Sequence, residues 1–365
     1  MEMKKIKCPY DSLPSKSFFP QLANTNGDLF LKPEDGLRIG PGDKIISFGS
    51  CFASKIKTIC KRLNLNYLHK EDLSIHDTNK IRLEKVENFS LNYGNIYTSK
   101  HFLQLIKRTL NKDPSLPRVI NDKENRKRNS FRPNVLSYDN EVTLRKDDSN
   151  HLVNIYDAIK ESSTLVFTLG LTEHWIDKAT SLCLPQVPGC GLGDFDNHNF
   201  EFRNSELFEV VDEIIESIEL LKTINKNLSV ILSLSPVPLV ATYTKVSAVE
   251  ANIYSKSLLR QAIALVLKKD ISKLFYFPSF EIMTNPHFLN LNFKNNKRTV
   301  SDYGLNLIIK QFNQKFVGIE LGELNEFKPA QKIEVSFNGE DKNIFNPSCD
   351  EENIYASYLD KTFRN

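Results

Sequence analysis

Short apolar runs bounded by turn residues alternate with longer amphipathic stretches along the chain from Lys44 onward. The short runs indicate strands, and apolar positions spaced by three and four residues indicate helices. The predicted strands are 45–48, 164–169, 228–234 and 274–277, and the predicted helices are 52–63, 98–110, 207–221, 249–267 and 301–312, with Ser301 as the N-cap of the last. We therefore predict a three-layer α/β/α sandwich with a mainly parallel central sheet.

Two polar, turn-rich intervals, 113–150 and 176–204, interrupt this alternation and are predicted to be insertions at the rim of the sheet. After Phe316 the pattern changes to short alternating pieces such as 332–337, which predicts a small β addition or a partner-binding extension. We expect three parts: a lead-in segment 1–43 packed on the core, an α/β domain 44–315 and a C-terminal extension 316–365.

The composition is that of a globular protein, with 40% hydrophobic and 25% charged residues. The 48 Lys and Arg against 45 Asp and Glu give a net charge of +3, too balanced for a nucleic-acid-binding face. No apolar run approaches the ~18 residues of a membrane span, and the N-terminal sequence is polar, so we expect a cytoplasmic protein. The cysteines lack zinc-site spacing, so we expect free thiols and no metal site: Cys8, Cys51, Cys60, Cys183, Cys190 and Cys349.

The ends of the predicted strands are the candidate site, because ligands of open α/β sheets bind outside the carboxyl ends of the strands. Gly49, Ser50 and Cys51 follow the first strand. Glycine permits a tight turn there, and the following helix offers unpaired N–H groups and a dipole that makes a thiol a better nucleophile. The alternative is that Cys51 is a small buried hydrophobic residue.

Three further strand ends carry polar or aromatic side chains. Glu173, His174 and Trp175 follow the second strand, Ser235 follows the third, and Glu281 follows the fourth. Each has a structural alternative, in which Trp175 covers the sheet edge, His174 faces solvent, Ser235 shapes a wall and Glu281 accepts a helix N–H. No glycine-rich phosphate loop follows a strand, which argues against an NTPase or a nicotinamide enzyme.

The same segments resemble the GSCFA family, a branch of the SGNH hydrolase-like superfamily. Residues 48–53, Phe-Gly-Ser-Cys-Phe-Ala, are similar to the motif that names the family. Further blocks agree with the family in order and approximate spacing: 92–98, 168–173, 235–239 continuing to 254–260, and 276–282. Segment 9–14 resembles the family's N-terminal part, so the resemblance covers roughly residues 8–315.

The resemblance implies a flavodoxin-like sheet and a nucleophile at Cys51, where the superfamily's Gly-Asp-Ser signature has its serine. Ser50 then takes a neighbouring role. Backbone N–H groups of Cys51 and Gly94 would bind the oxyanion, with Thr172 or Asn95 as a side-chain donor.

The Asp-x-x-His pair of the superfamily is missing, because residues 296–300 stand in its place. Arg298 in this segment is a candidate for substrate binding, and the general base must come from elsewhere. His174 and His287 are the two candidate histidines. A thiol needs less help from a base than a hydroxyl does, which favours Cys51 as the nucleophile.

The function that the resemblance implies is bacterial O-acylation of a surface polysaccharide or its precursor. An acetyl group would pass from a coenzyme A thioester through Cys51 to a sugar hydroxyl, with no permanently bound cofactor and no nucleic-acid partner. One alternative is an esterase or deacetylase acting on carbohydrate. Another is a non-catalytic accessory or binding protein of polysaccharide biosynthesis that kept the pocket but lost the Asp-x-x-His pair.

Overall fold

The computed structural model describes residues 8, 10, 13–25, 27–29, 31–71, 89–122, 124–190, 192–321 and 354. These residues belong to two compact units. The smaller unit is drawn from residues 1–39 and 278–332, and the larger unit from residues 40–277 and 333–365. The larger unit contains the parallel sheet and the strand ends at which the sequence predicts a site.

The larger unit alternates strands with helices. Its described strands are β1 (Lys44–Gly49), β2 (Asn66–Tyr67), β3 (Val119–Asn121), β4 (Lys127–Asn129), β5 (Thr164–Leu169), β6 (Glu173–Asp177), β7 (Cys183–Leu184), β8 (Phe200–Asn204), β9 (Ser229–Leu234) and β10 (Leu274–Phe277). Its described helices are α1 (Ser54–Arg62), α2 (Ser99–Thr109), α3 (Glu141–Glu161), α4 (Leu207–Ile224) and α5 (Ala248–Leu267).

Five parallel strands form the central sheet in the order β10-β9-β5-β1-β2. The chain runs from β1 outward to the edge strand β2 and then returns to β5 on the other side of β1. The strand order therefore reverses between β1 and β5, which is the switch point where doubly wound sheets bind their ligands. Residues 45–49 pair with 164–168, so the carboxyl ends of these two strands lie side by side.

The predicted three-layer α/β/α sandwich with a mainly parallel sheet is confirmed. All residues of β5 and β9 are buried, as expected for central strands that are covered on both faces. The apolar runs placed the ends of both strands within one residue of the observed ones. Helix α2 begins after Thr98, whose Oγ1 accepts a hydrogen bond from the His101 N–H at 3.2 Å.

The prediction that 113–150 is an insertion was wrong for its last ten residues, which are the first half of the 21-residue helix α3. Polar residues interrupt the buried face of α3, since Asp148 and His151 lie among its apolar positions. The apolar periodicity is therefore weak. The start signal was present in the sequence, because the Asn140 side chain caps the helix by accepting from the Thr143 N–H at 2.9 Å.

Side-chain partners accompany both buried polar positions of α3. Asp148 accepts a hydrogen bond from Arg108 Nη2 of α2 at 2.6 Å and from Asn129 Nδ2 of β4 at 2.8 Å. The Arg108 and Asp148 side chains are 3% and 5% exposed. One turn further, His151 Nδ1 lies 2.7 Å from Glu71 Oε1. Because each buried charge has a partner, α3 can pack against α2 without an uncompensated charge.

The second interval, 176–204, contributes to a three-stranded antiparallel sheet of order β7-β6-β8. Strand β6 starts at Glu173, four residues after β5 ends. This small sheet therefore begins directly beside the switch point of the central sheet. Strands β3 and β4 form a separate antiparallel hairpin.

The smaller unit contains α6 (Ser279–Met283), α7 (Leu289–Asn292) and α8 (Asp302–Phe312) among its described residues. Ser301 caps α8 as predicted, because its Oγ accepts from the Gly304 N–H at 3.0 Å. The N-terminal segment pairs with this end of the chain, and the Ile39 N–H donates to the Phe316 carbonyl oxygen at 2.8 Å. The predicted strand at 332–337 lies outside the described residues. No helix that the structure describes is long and apolar enough to cross a membrane.

We expect Asp148→Asn to destabilise the larger unit by about 3 kcal/mol, because Arg108 and Arg132 would remain buried with one carboxylate fewer. The midpoint of urea unfolding, followed by circular dichroism, measures this change. Glu161→Gln is the matched control, since it removes a carboxylate from a surface ion pair with Lys44 and should leave the midpoint unchanged. Equal midpoints for the two variants would contradict the role of the buried pair.

Candidate functional site

A small depression lies at the switch point, where β1 and β5 end. Its volume is about 10 Å³, close to what one water molecule requires. It is lined by Ser50, Cys51, Tyr97, Gly170, Leu171, Ser235, Val237 and Lys256. We call it the Cys51 depression. Two of the predicted strand-end segments, those carrying Cys51 and Ser235, therefore meet in one place.

Gly49 forms the turn that presents Cys51 to this depression. Its φ is +140°, and a Cβ at this position would lie 2.4 Å from the Thr168 carbonyl oxygen, so no other residue fits without a shift of β5. The chain then passes through Ser50 into the 3-10 turn Cys51–Ala53, which leads into α1. Cys51 is half-buried and stands at the first position of this helical segment.

Ser50 places a buried hydroxyl beside Cys51. The residue is 3% exposed, and its Oγ has no hydrogen-bond partner among the described residues. Gly170 makes room for it, since a Cβ on Gly170 would lie 3.0 Å from Ser50 Cβ. Leaving a hydroxyl unpaired inside a protein costs about 1–3 kcal/mol. The position is therefore suited to a water molecule or a substrate oxygen.

Lys256 of α5 brings a buried amine to the same depression. The residue is 2% exposed, and its Nζ donates a hydrogen bond to the Gly170 carbonyl oxygen at 2.7 Å. Lysine is almost never fully buried unless it is paired. The Gly170 carbonyl oxygen is such a partner here, and Lys256 lines the same depression as Cys51 and Ser50.

The sequence assigned no role to Lys256, although it lies in the family-like block 254–260. The sequence nevertheless contained an indication that Lys256 is buried. Lys256, Leu259 and Ile263 are spaced by three and four residues, and all three are buried in α5. A lysine within the apolar stripe of a helix is the exception that indicates a pairing or a function.

A larger groove of about 500 Å³ adjoins the Cys51 depression, because Tyr97 and Leu171 line both cavities. Trp175 forms part of its wall, as do the rings around it. The Trp175 ring lies 4.8 Å from that of Tyr243, 5.1 Å from that of Phe195 and 5.5 Å from that of Phe202, in edge-on contacts. The predicted site residues that follow β5 thus belong to this groove, which we call the aromatic groove.

His174 lines the aromatic groove rather than the Cys51 depression. It is 7% exposed, and its Nδ1 lies 3.0 Å from the Thr172 carbonyl oxygen. Because a carbonyl only accepts, Nδ1 carries the proton and Nε2 is the acceptor. Burial lowers the pKa of His174 to about 4, so the ring is neutral at pH 7. His101 of α2 also lines the groove, and burial lowers its pKa to about 3.

Glu173 anchors a loop at the rim of the aromatic groove. Its carboxylate accepts hydrogen bonds from Thr242 Oγ1 at 2.6 Å and from the Tyr243 N–H at 3.0 Å. Ser235, by contrast, lies in the Cys51 depression and is fixed by its own backbone, since its N–H donates to the Leu169 carbonyl oxygen at 2.8 Å. Both residues hold the walls of the site in place.

Gly94, Asn95 and Thr172, the predicted oxyanion donors, are not among the described residues that line the Cys51 depression. Gly94 has a φ of +78°. Its segment is tied to the end of β1, because the Ile96 N–H donates to the Gly49 carbonyl oxygen at 2.9 Å. Thr172 is fully buried, and its Oγ1 has no hydrogen-bond partner within the described residues. Donors in the lining of the Cys51 depression itself include the Ser50 hydroxyl, the backbone N–H of Cys51 and the Lys256 amine.

The remaining candidates, Glu281, His287 and Arg298, belong to the smaller unit. Glu281 lies in α6, and the exposed His287 ring lies 4.9 Å from the Phe19 ring. The Arg298 N–H donates to Asn296 Oδ1 at 3.0 Å in a tight turn. Their participation in the site stays a prediction.

The cysteines that the structure describes are free thiols, and Cys349 lies outside the described residues. Burial raises the pKa of Cys60 and of Cys183 to about 12, so both stay protonated near neutral pH. Within the described residues, no group of three His, Cys, Asp or Glu side chains is arranged to hold a metal ion.

The buried histidines predict a pH dependence of stability. The folded pKa values of about 3 for His101 and about 4 for His174 lie below the unfolded value of 6.5, so their contribution is complete above pH 6.5 and is lost as the pH falls toward 4. We expect the unfolding free energy to fall by up to about 1.4 kcal/mol per pH unit for each ring.

Urea unfolding at pH 7, 5.5 and 4.5 measures this slope. His174→Gln should make the slope shallower, whereas His198→Gln, at an exposed position, is the control that retains it. An unchanged slope in His174→Gln would contradict the neutral, buried state of that ring.

The model of the GSCFA family matches residues 44–312, from the first residue of β1 to the last residue of α8. No curated protein matches the sequence. The matched region contains both walls of the Cys51 depression and most of the chain. With a match of this extent, the chain belongs to the GSCFA family.

Proposed function

We propose that this protein is an acyl-transfer enzyme that carries the acyl group on Cys51. One observation carries the proposal: a half-buried thiol, an unpaired buried hydroxyl and a buried lysine line the same depression at the switch point. Cysteine is the side-chain nucleophile that depends least on a general base. Lys256 lines the same depression, and its amine would stabilise negative charge that develops on the substrate oxygen.

In the first half of the reaction, the Cys51 sulfur loses its proton to solvent and attacks the carbonyl carbon of the acyl donor. A new C–S bond forms, and the negative oxygen is stabilised by the Cys51 N–H, the Ser50 hydroxyl and the charge of Lys256. When the carbonyl re-forms, the bond to the donor breaks, and the leaving group takes up a proton. A coenzyme A thioester is the proposed donor, because its leaving group is itself a thiol.

In the second half, an acceptor hydroxyl attacks the acyl carbon and releases the Cys51 thiolate, which takes the hydroxyl proton. A sugar hydroxyl as acceptor makes the protein an O-acyltransferase, and water makes it an esterase. Both reactions share the acyl-Cys51 intermediate, so detection of this intermediate tests them together. The sugar acceptor follows from the family resemblance.

A non-catalytic binding role is the second candidate, and it is favoured by the turn at residues 296–299. Asn296 Oδ1 accepts from the N–H groups of Arg298 and Thr299 at 3.0 and 2.9 Å, and Asn296 Nδ2 donates to Thr299 Oγ1. The Asn296 side chain therefore stabilises the turn at the position where the family resemblance places the general base of the wider superfamily. A protein of this kind would bind acyl donors without becoming acylated.

We expect incubation with acetyl- or octanoyl-coenzyme A to add one acyl group to the peptide that contains Cys51, as measured by mass spectrometry. Cys51→Ala should abolish both acylation and release of coenzyme A. Cys8→Ala is the matched control, because Cys8 is similarly half-buried and is not among the described residues that line either cavity. Full activity in Cys51→Ala would place the nucleophile elsewhere, and absence of acylation in the unchanged protein would favour the binding role.

We expect Lys256→Met to lower kcat/KM for coenzyme A release about 100-fold, because one of the groups proposed to stabilise the oxyanion is lost. Lys222→Met is the matched control, since Lys222 also donates to a backbone carbonyl, that of Leu228, away from the depression. The urea-unfolding midpoint of each variant shows whether the protein is still folded. An unchanged kcat/KM in a folded Lys256→Met variant would contradict the role of Lys256.

A further inference from the structure

We infer that the aromatic groove binds the hydrocarbon chain of the acyl group, so that the substrate is a medium- or long-chain acyl thioester or ester. This inference rests on the proposed acylation of Cys51. It changes the expected acyl group, because the family resemblance implies acetyl. The adjoining groove of about 500 Å³ is far larger than an acetyl group requires.

The two cavities are neighbours, because Tyr97 and Leu171 line both. The backbone fixes this junction, because the N–H groups of Gly170 and Leu171 both donate to the Tyr97 carbonyl oxygen at 2.9 Å. A carbonyl carbon bonded to the Cys51 sulfur would lie in the depression. Any chain on that carbon that extends past Tyr97 and Leu171 enters the groove.

Most side chains along the groove are apolar. They include Leu171, Trp175, Leu184, Val187, Phe202 and Val240. The rings near its mouth are exposed, with Phe195 at 39% and Tyr243 at 62% of their surface. Exposed rings that continue a concave apolar surface are typical of a ligand site.

Three polar residues of the groove, Gln186, Glu173 and Thr98, are engaged with the protein itself, which leaves few groups besides the two histidine rings to bind a polar ligand. Gln186 Nε2 donates to the Cys190 carbonyl oxygen, and its Oε1 accepts from Asn134. The Glu173 carboxylate accepts from the Thr242–Tyr243 loop, and Thr98 Oγ1 caps α2. A sugar would require several free donors and acceptors for its hydroxyl groups. A hydrocarbon chain requires none, and it gains from removal of apolar surface from water.

The chain-length dependence of acylation tests the inference. Each methylene that enters the groove should raise kcat/KM for coenzyme A release about fourfold, up to the length of the groove. We expect octanoyl-coenzyme A to react at least about 100-fold faster than acetyl-coenzyme A in kcat/KM. Equal rates for the two donors, with Cys51 acylated by both, would overturn the inference while leaving the proposed function intact.

A substitution in the groove separates chain binding from the reaction. Ala241→Trp fills the groove from an exposed position, and the octanoyl-to-acetyl ratio of kcat/KM should fall at least about tenfold. Ala179→Trp is the matched control, because Ala179 is equally exposed and is not among the described residues that line the groove. The same ratio in both variants would overturn the inference.

A binding measurement on a variant that cannot be acylated tests the aromatic groove independently of the proposed reaction. Calorimetry on Cys51→Ala should show tighter binding of octanoyl-coenzyme A than of acetyl-coenzyme A, and the added Ala241→Trp should remove the difference. This result would support binding of the hydrocarbon chain in the aromatic groove even if no thioester acylates Cys51. Equal affinities in Cys51→Ala would contradict it.

Discussion

The site depends on the close approach of β1 and β5 at their carboxyl ends. Gly49 lies so near the Thr168 carbonyl oxygen that a Cβ would come within 2.4 Å of it, and Gly170 leaves a similar space for Ser50. Two glycines therefore allow the neighbouring strands to end in contact. Ser50 and Cys51 leave β1 at the point where β5 gives way to Gly170 and Leu171. Without this approach the thiol would not face the residues that follow β5.

Buried polar groups occur both at this point and in the interior around α3, but their hydrogen bonding differs between the two places. Around α3, Asp148 has both an arginine and an amide as partners, so the cluster stabilises the packing of α2 and α3. At the switch point, Ser50 Oγ has no partner within the described residues, and Lys256 is held by the Gly170 carbonyl oxygen. An unpaired hydroxyl beside a thiol carries a cost in stability that a bound substrate would offset.

Much of the fold and part of the site could be predicted because strands and helices are local patterns. The buried runs of β5 and β9 are visible in consecutive residues, and the position of Cys51 after β1 follows from the strand-end rule. His174 and Trp175 also follow a strand end, yet they line the aromatic groove. The rule gives the edge of the sheet but not the depth or direction of a side chain.

The sequence by itself determined four strands of the central sheet, most of the long helices beside them, the glycine turn and the thiol, because each depends on neighbouring residues. Only the tertiary structure decided that Lys256 lines the same depression as Cys51, since about 200 residues separate them and α5 must pack at the end of β5. It also decided that the β6–β8 insertion joins α2 to form the groove. These long-range arrangements depend on which surfaces pack together in the folded chain. The spacing of apolar residues within one helix or strand does not show which other element it packs against.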